Sequence, residues 1–384
     1  MASLTGITWD HPRGLSPMRA TAIAFSKQRP DISIHWTPRS LAQFGEQPIE
    51  LLAKSYDLLV IDHPFVGVAA RTGCLLALEK YLPEKLLQEQ AGQSVGPSFR
   101  SYTYDGHQWA LPVDAAAHVS SYRADLLESA GRSVPRTWND VIELARHQPV
   151  AIPLNSAGAI DSFLTICASA GETPGRLPEY FVHDATAKCA LGILRELTSL
   201  ISPESFALDP PRLLDRMSTT DDIAYCPLLF GYSNYARPGY SGHVCRFTNI
   251  PMLVDAIGPK GSLLGGTGIA ISAGCRSIDD ACAYVKWITT AECQTGIYFR
   301  SGGQPGNRLA WLSKEVNQAS NGFFLDTLLT LEEAFVRPRY KGFVEFHDQA
   351  GVILRDNLLN RGSQADTLAT IGELYARSGW KPAV

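Results

Sequence analysis

Apolar runs alternate with amphipathic stretches along this chain, the pattern expected of an α/β protein. Residues Thr5–Trp9 predict a first strand, and Pro17–Gln28 a helix with Met18, Ala22 and Phe25 on one face. Asp31–Trp36 alternates as a second strand. Leu58–Ile61 is apolar without a break, as expected of a central parallel strand buried on both faces. The opening is therefore βαβαβ. Further on, Thr137 is a plausible N-cap for a helix over Trp138–Arg146. Asp184–Leu200 and Ser277–Thr289 read as amphipathic helices; Asp279 and Asp280 fall in the first turn of the second, where the helix dipole favours acids. The segment 231–242 is rich in Tyr, Gly and Ser, has no period and predicts a loop. No repeat, low-complexity tract or flexible linker is present, so two domains would be joined by strands rather than by a tether.

Composition narrows the function classes. The 384 residues are enough for two domains, each with its own core. With 45% hydrophobic residues, 19% charged residues and a net charge of -4, the chain has no basic excess to draw it onto nucleic acid or anionic lipid. No window approaches the ~18 uninterrupted apolar residues of a membrane span. The start, Met1–Trp9, lacks the basic and apolar regions of an export signal. The eight cysteines (74, 167, 189, 226, 245, 275, 282 and 293) show no CxxC pair or metal spacing. Most read as buried small hydrophobes, and so many unpatterned thiols favour a reducing compartment. The expected location is cytoplasmic if Met1 is the native start, and periplasmic if a leader has been removed.

Several strings in order carry a family resemblance. Tyr56–Asp62 with Gly73–Leu82 is an early strand followed by a Gly, apolar, acidic segment. More specific are Ala110–Asp114, Ser121–Leu127 and Pro135–Val141, then Gly265–Ser272 with Ala281–Ile288, and finally Ser301–Pro305 and Val336–Arg339. Together they resemble the family 1 extracellular solute-binding proteins of ABC importers, the sugar-binding type, along nearly the whole chain. The resemblance implies an α/β, two-lobed periplasmic-binding-protein-like fold of type II, with crossover strands joining the lobes around a ligand cleft. It divides the chain into lobe I, residues 1–112 and 267–325, and lobe II, residues 113–266 and 326–384.

In open parallel sheets the ligand lies beyond the carboxyl ends of the strands. Trp9, Asp10 and His11 before Pro12, and Asp62 and His63 before Pro64, fall there and would set two imidazoles and two carboxylates on one rim. The alternative is that each Asp caps the following turn and its His hydrogen-bonds it. Asp114 and His118 follow the first crossover, where a carboxylate can accept from ligand hydroxyls or satisfy hinge N–H groups. Arg39 faces an anionic ligand or solvent. The resemblance further implies that Tyr225, Tyr232 and Tyr235 reach back from the other lobe, as stacking surfaces or as loop packing. Cys226 becomes a nucleophile only if His63 or His11 approaches on closure. Gly266, Thr267 and Gly303 offer backbone N–H groups to polar ligand atoms or are simple turns, and Arg337 reaches ligand or bridges the lobes.

The leading expectation is a solute-binding protein that captures a small polar metabolite, a sugar or sugar acid, by hinge closure, with no cofactor. If exported, it hands its ligand to an ABC permease. One alternative is a cytosolic enzyme on the same fold, using His11, His63, Asp62 and Asp114 as acid and base. The other is a metal protein built from His11, His63, Asp62, Asp114 and Tyr225.

Overall fold

The computed structural model describes residues 2–253 and 258–380. The chain opens as β1 (Ala2–Trp9), α1 (Pro12–Gln28), β2 (Ile32–Arg39), α2 (Leu41–Glu46) and β3 (Leu58–Ile61), the expected βαβαβ. The first helix begins earlier than the Pro17 boundary expected from sequence. His11 caps it, its Nδ1 accepting from Arg13 N–H at 3.0 Å, and Pro12 takes the first turn, where its missing N–H costs nothing. Gly14 is required there, because a Cβ would stand 2.4 Å from the Trp9 ring. β2 continues through Pro38, which an edge strand tolerates because one side of its ladder is empty.

Seven strands form one sheet. β3 pairs in parallel with β1 and antiparallel with β7 (Leu264–Ile271), so it is central but in a mixed sheet rather than an all-parallel one. β7 pairs with β4 (Leu111–Tyr122), and β4 in turn with β5 (Tyr225–Phe230) and β6 (Arg246–Thr248), giving the order β2-β1-β3-β7-β4-β5 with β6 also on β4. The lengths of β4 and β7 create two lobes. The first half of β4 pairs with β7, whereas its second half, from His118, pairs with β5. β7 likewise pairs with β4 from Leu264 through Ile269 and with β3 from Gly268 to Ile271, so only Gly268 and Ile269 are flanked on both sides. Gly266 sits where they cross at φ +92°, and a Cβ there would lie 2.5 Å from Asp114 O.

Alternation along the strands splits each core in two. Leu58 and Val60 face a cluster with Leu4, Met18 and Tyr284, while Leu59 and Ile61 face Phe65, Tyr102 and Trp109. In the second lobe, Tyr225 and Leu228 pack with Ile160, Phe163 and Phe343, while Cys226 and Leu229 pack with Phe247, Trp311 and Phe323. Around this core lie α3 (Trp138–Ala145), α4 (Ser156–Ser169), α5 (Asp184–Thr198) and α6 (Pro210–Thr219). They are followed by α7 (Ile278–Ile288) on the first lobe and α8 (Phe343–Asn360) on the second. Thr137 forms a capping box with Asp140 at the start of α3, as its sequence suggests. The loop expected over 231–242 holds a short 3₁₀ turn, Ser233–Ala236. A third connection passes from Phe335, whose N–H donates to Ser262 O, to Arg339, whose Nη1 donates to three first-lobe carbonyls. No described helix is long and apolar enough to cross a membrane.

Candidate functional site

A cavity of about 310 Å³ opens where the carboxyl ends of β1, β3 and β5 meet the crossing strands. The first lobe contributes Trp9, Phe44, Asp62 and Phe65; β4 and β7 contribute His118, Gly266 and Thr267. The second lobe closes the other side with Asn155, Asp161, Ser162, Asp209, Phe230 and Tyr232, and the third connection and α8 add Arg337, Phe343, His347 and Asp348. The lining therefore mixes aromatic rings with buried polar groups.

Asp62 does two jobs. Its Oδ1 accepts from His63 N–H at 2.7 Å, capping the short turn His63–Phe65, and its Oδ2 accepts from Arg337 Nη2 at 2.5 Å. Burial works against the carboxylate, but Arg337 and His63 more than offset it, so Asp62 stays ionised, its pKa well below the ordinary value. His63 lies behind it, fully buried, its ring edge-on to Tyr102. Its Nδ1 is 3.1 Å from Asp62 Oδ1 but out of line for a hydrogen bond, and Nε2 has no partner either. Burial pushes the His63 pKa down to about 4, so the ring is neutral near pH 7.

On the second lobe, Asp161 projects from the first turns of α4 and holds His347 of α8, with Nε2 and Oδ1 2.9 Å apart. Asp348 Oδ1 stands 3.7 Å from the other nitrogen of the same ring. His118 shares a hydrogen bond of 2.9 Å between its Nδ1 and Thr165 Oγ1, rests edge-on against Phe230, and is held neutral by burial, its pKa lowered to about 4. The Thr267 hydroxyl is buried and has no partner. A buried hydroxyl without a partner is costly, and a ligand oxygen or nitrogen would satisfy it.

Asp114 occupies a different position from the one its sequence context suggests. Both carboxylate oxygens are taken by Arg13, Nε at 2.8 Å and Nη2 at 2.5 Å, and Arg13 Nη1 donates to Gly231 O at 2.9 Å. Burial disfavours the charged guanidinium, but Asp114 more than offsets this and the Arg13 pKa is raised. The guanidinium lies 4.6 Å from the Tyr232 ring centroid, and His11 meets that ring edge-on. Asp114 thus acts behind the cavity wall, through Arg13.

The structure brings Trp9, Asp62, His118, Tyr232, Gly266, Thr267 and Arg337 to the cavity. The other expected residues lie elsewhere. Asp10 is exposed. Arg39 donates to Val60 O and Gln43 O and stacks over Phe44 at 5.0 Å, so it supports that ring from behind. Tyr225 is in the second core, bonded to Ser120, and Tyr235 donates to Asp215 at 2.6 Å. Gly303 packs on Tyr298, and Cys226 is buried with its Sγ on Leu228 O and its thiol pKa raised well above the ordinary value by burial. Asp114 and Tyr225 are thus drawn away from the histidines they were expected to join. Among the described residues, no group of three His, Cys, Asp or Glu is arranged to hold a metal ion.

Strand-end reasoning missed Arg13, Phe44, Asp161, Phe230, His347 and Asp348, most of which come from helices. One clue was present: Asp161 is the only charged residue between His147 and Glu172, in a largely apolar stretch where an unpartnered charge is unfavourable.

Residues 9–151 match the model of the bacterial extracellular solute-binding protein family. No curated protein matches the chain. Solved structures resemble it along almost all of its length. Maltose-bound MalE3 of T. maritima superposes with a TM-score of 0.83 at 18% identity, covering 98% of this chain and 99% of that one. An ABC transporter solute-binding protein from Agrobacterium radiobacter K84 in complex with ribitol gives 0.81 at 18% identity, with 98% of each chain covered. Another from Agrobacterium vitis S4, with bound D-mannitol, gives 0.79 at 18% identity, again covering 98% of each. At such identities the likeness is one of fold.

Proposed function

We propose that this chain, which has the two-lobed α/β fold of the ABC-importer solute-binding proteins, captures one sugar or polyol in the cleft between its lobes. The observation that carries this reading is the lining itself, in which aromatic faces alternate with buried polar groups that lack a full set of partners. Trp9, Phe44, Phe230 and Tyr232 would cover the C–H faces of the ligand, while Asp62, Asp161, His118, Thr267 and Arg337 would bind its hydroxyls. Gly266 lets the crossing strands approach without a side chain between them. Closure follows because the ligand touches both lobes at once only when they are shut, so binding favours that state by its differential affinity.

In this reading β4, β7 and the segment 335–340 are the hinge, the lobe boundaries fall near residues 112 and 266, and the helices after Phe299 ride on the second lobe. The receiving partner is an ABC permease. The compartment depends on whether a leader precedes Met1, which N-terminal sequencing of the protein from its native cells would show.

Native mass spectrometry of freshly purified protein, compared with its denatured mass, tests the reading. The expected result is a releasable small molecule of sugar or polyol mass. Adding that compound at a hundred times its Kd should stabilise the fold by about 2.7 kcal/mol and contract the particle in small-angle scattering. If no adduct is seen and no member of a broad sugar and polyol panel stabilises the protein, the reading fails.

A further inference from the structure

The buried carboxylates of the cleft are each engaged, and the groups left over are mostly donors. Arg13 occupies both oxygens of Asp114, Arg337 and the His63 N–H share Asp62, and His347 holds Asp161. Asp209 accepts from the Arg212 N–H and lies 3.6 Å from the Arg212 side chain, while Asp348 has a half-exposed side chain that water screens. Arg337 is 7% exposed and donates to a described residue only through Nη2. Its Nε is buried without a partner, and its Nη1 donates to no described residue. The buried Thr267 hydroxyl, set beside Asp62 by the pairing of Ile61 with Gly268, has no partner either. The first turn of α4 opens on the same cavity through Asn155, Ala157 and Gly158. Asn155 Oδ1 accepts from the Gly158 N–H at 2.9 Å, but the Ala157 N–H donates to no described residue, and that helix end carries a partial positive charge. Arg337 is close enough to Asp161, one turn along α4 from Ala157, to help lower its pKa.

A carboxylate has the lone pairs to accept from Arg337 and a second donor at once, and bonds between charged partners are stronger than those to a neutral hydroxyl. A single guanidinium with unspent N–H groups, set among paired carboxylates, suits a monoanion. A phosphate dianion would bring a second negative charge beside Asp62 and Asp161 with no further cation to receive it. Asp161 Oδ2 accepts from no described residue and is left for a ligand hydroxyl. From this surplus of unspent donors we propose that the cleft takes a sugar acid, an aldonate or uronate, with Arg337 receiving the carboxylate and Asp161 a hydroxyl. The proposal rests on the sugar or polyol reading above and narrows it to the acids of that class.

Calorimetric titration at pH 7 tests it with gluconate, glucuronate and galacturonate, each against its uncharged amide and its neutral parent (glucitol, glucose or galactose), and with glucose 6-phosphate. In the set that binds most tightly, the acid should bind at least about tenfold more tightly than both its amide and its parent. Arg337→Lys keeps a positive charge beside Asp62 but removes the spare guanidinium N–H groups, and should lower the acid-to-parent ratio at least about threefold. An unchanged ratio in the folded variant overturns Arg337 as the receiving group. If the variant does not fold, a crystal structure of the wild-type complex decides the point: a carboxylate oxygen should lie within about 3 Å of Arg337 Nη1, and one bound elsewhere overturns the assignment. A smaller acid advantage, tighter binding of glucose 6-phosphate, or any neutral sugar or polyol that binds as tightly as the best acid overturns the inference while leaving capture intact. If neither these compounds nor the sugar and polyol panel bind, the capture reading fails and takes the inference with it.

Discussion

His347 and Asp161 form a buried pair with opposed titration. Burial favours the neutral imidazole, but Asp161 outweighs it and raises the His347 pKa above 6.5; burial also opposes the Asp161 carboxylate, yet His347 holds its pKa below 3.8. The His347 contribution to stability is fully present below its unfolded pKa and is lost as pH rises through the raised folded value. That of Asp161 is present above its unfolded pKa and is lost as pH falls through the lowered folded value. The pair therefore stabilises the second lobe between those limits. In an imidazole NMR titration, His347 should titrate above 6.5 in the native protein. In Asp161→Asn its midpoint should fall, since burial and Arg337 would then be opposed only by Asp348; an unchanged midpoint would show that Asp161 does not control it. At this scale sequence reasoning pointed to Trp9, Asp62, His118 and Tyr232, which line the cavity and whose neighbours in the chain set their place at a strand end or crossing. It missed Arg13, Asp161 and His347, because a helix brings its polar side chains to a cleft only through packing against other elements.

At the scale of elements, local chemistry was legible. Thr137 and Asp140 form the reciprocal cap that their spacing suggests, Asp279 and Asp280 start α7, and Leu58–Ile61 is a strand over the residues expected. Thr137→Ala should cost about 0.5–2 kcal/mol in a urea melt and leave ligand affinity within about twofold, because that helix end lies outside the cavity lining. An affinity loss larger than this would connect α3 to the cleft. Element ends were harder to place. α1 starts at Pro12 because an imidazole can serve as a cap, and β2 extends through Pro38 because the next place in the sheet is empty. Neither fact can be read from periodicity.

At the scale of the whole molecule, Arg13 links three bodies: its own helix on the first lobe, the crossing strand β4 through Asp114, and the end of β5 through Gly231 O. With its side chain 4% exposed and that of Asp114 at 0%, Arg13→Ala would leave a carboxylate buried without a partner. The expected cost is about 3–5 kcal/mol in chemical unfolding; a loss below about 1 kcal/mol would mean that water or a nearby donor replaces the guanidinium. The order of strands and helices, the two crossings and the cleft between them could be read from the chain, because hydrophobic periodicity and glycine placement are local and the crossing strings keep their order. The partners of the charges could not. Whether Asp114 faces a ligand or Arg13, and whether Asp161 is paired, depends on distances between residues about one hundred and two hundred positions apart. Burial then fixes the protonation of each group, and burial exists only once the lobes have folded against one another.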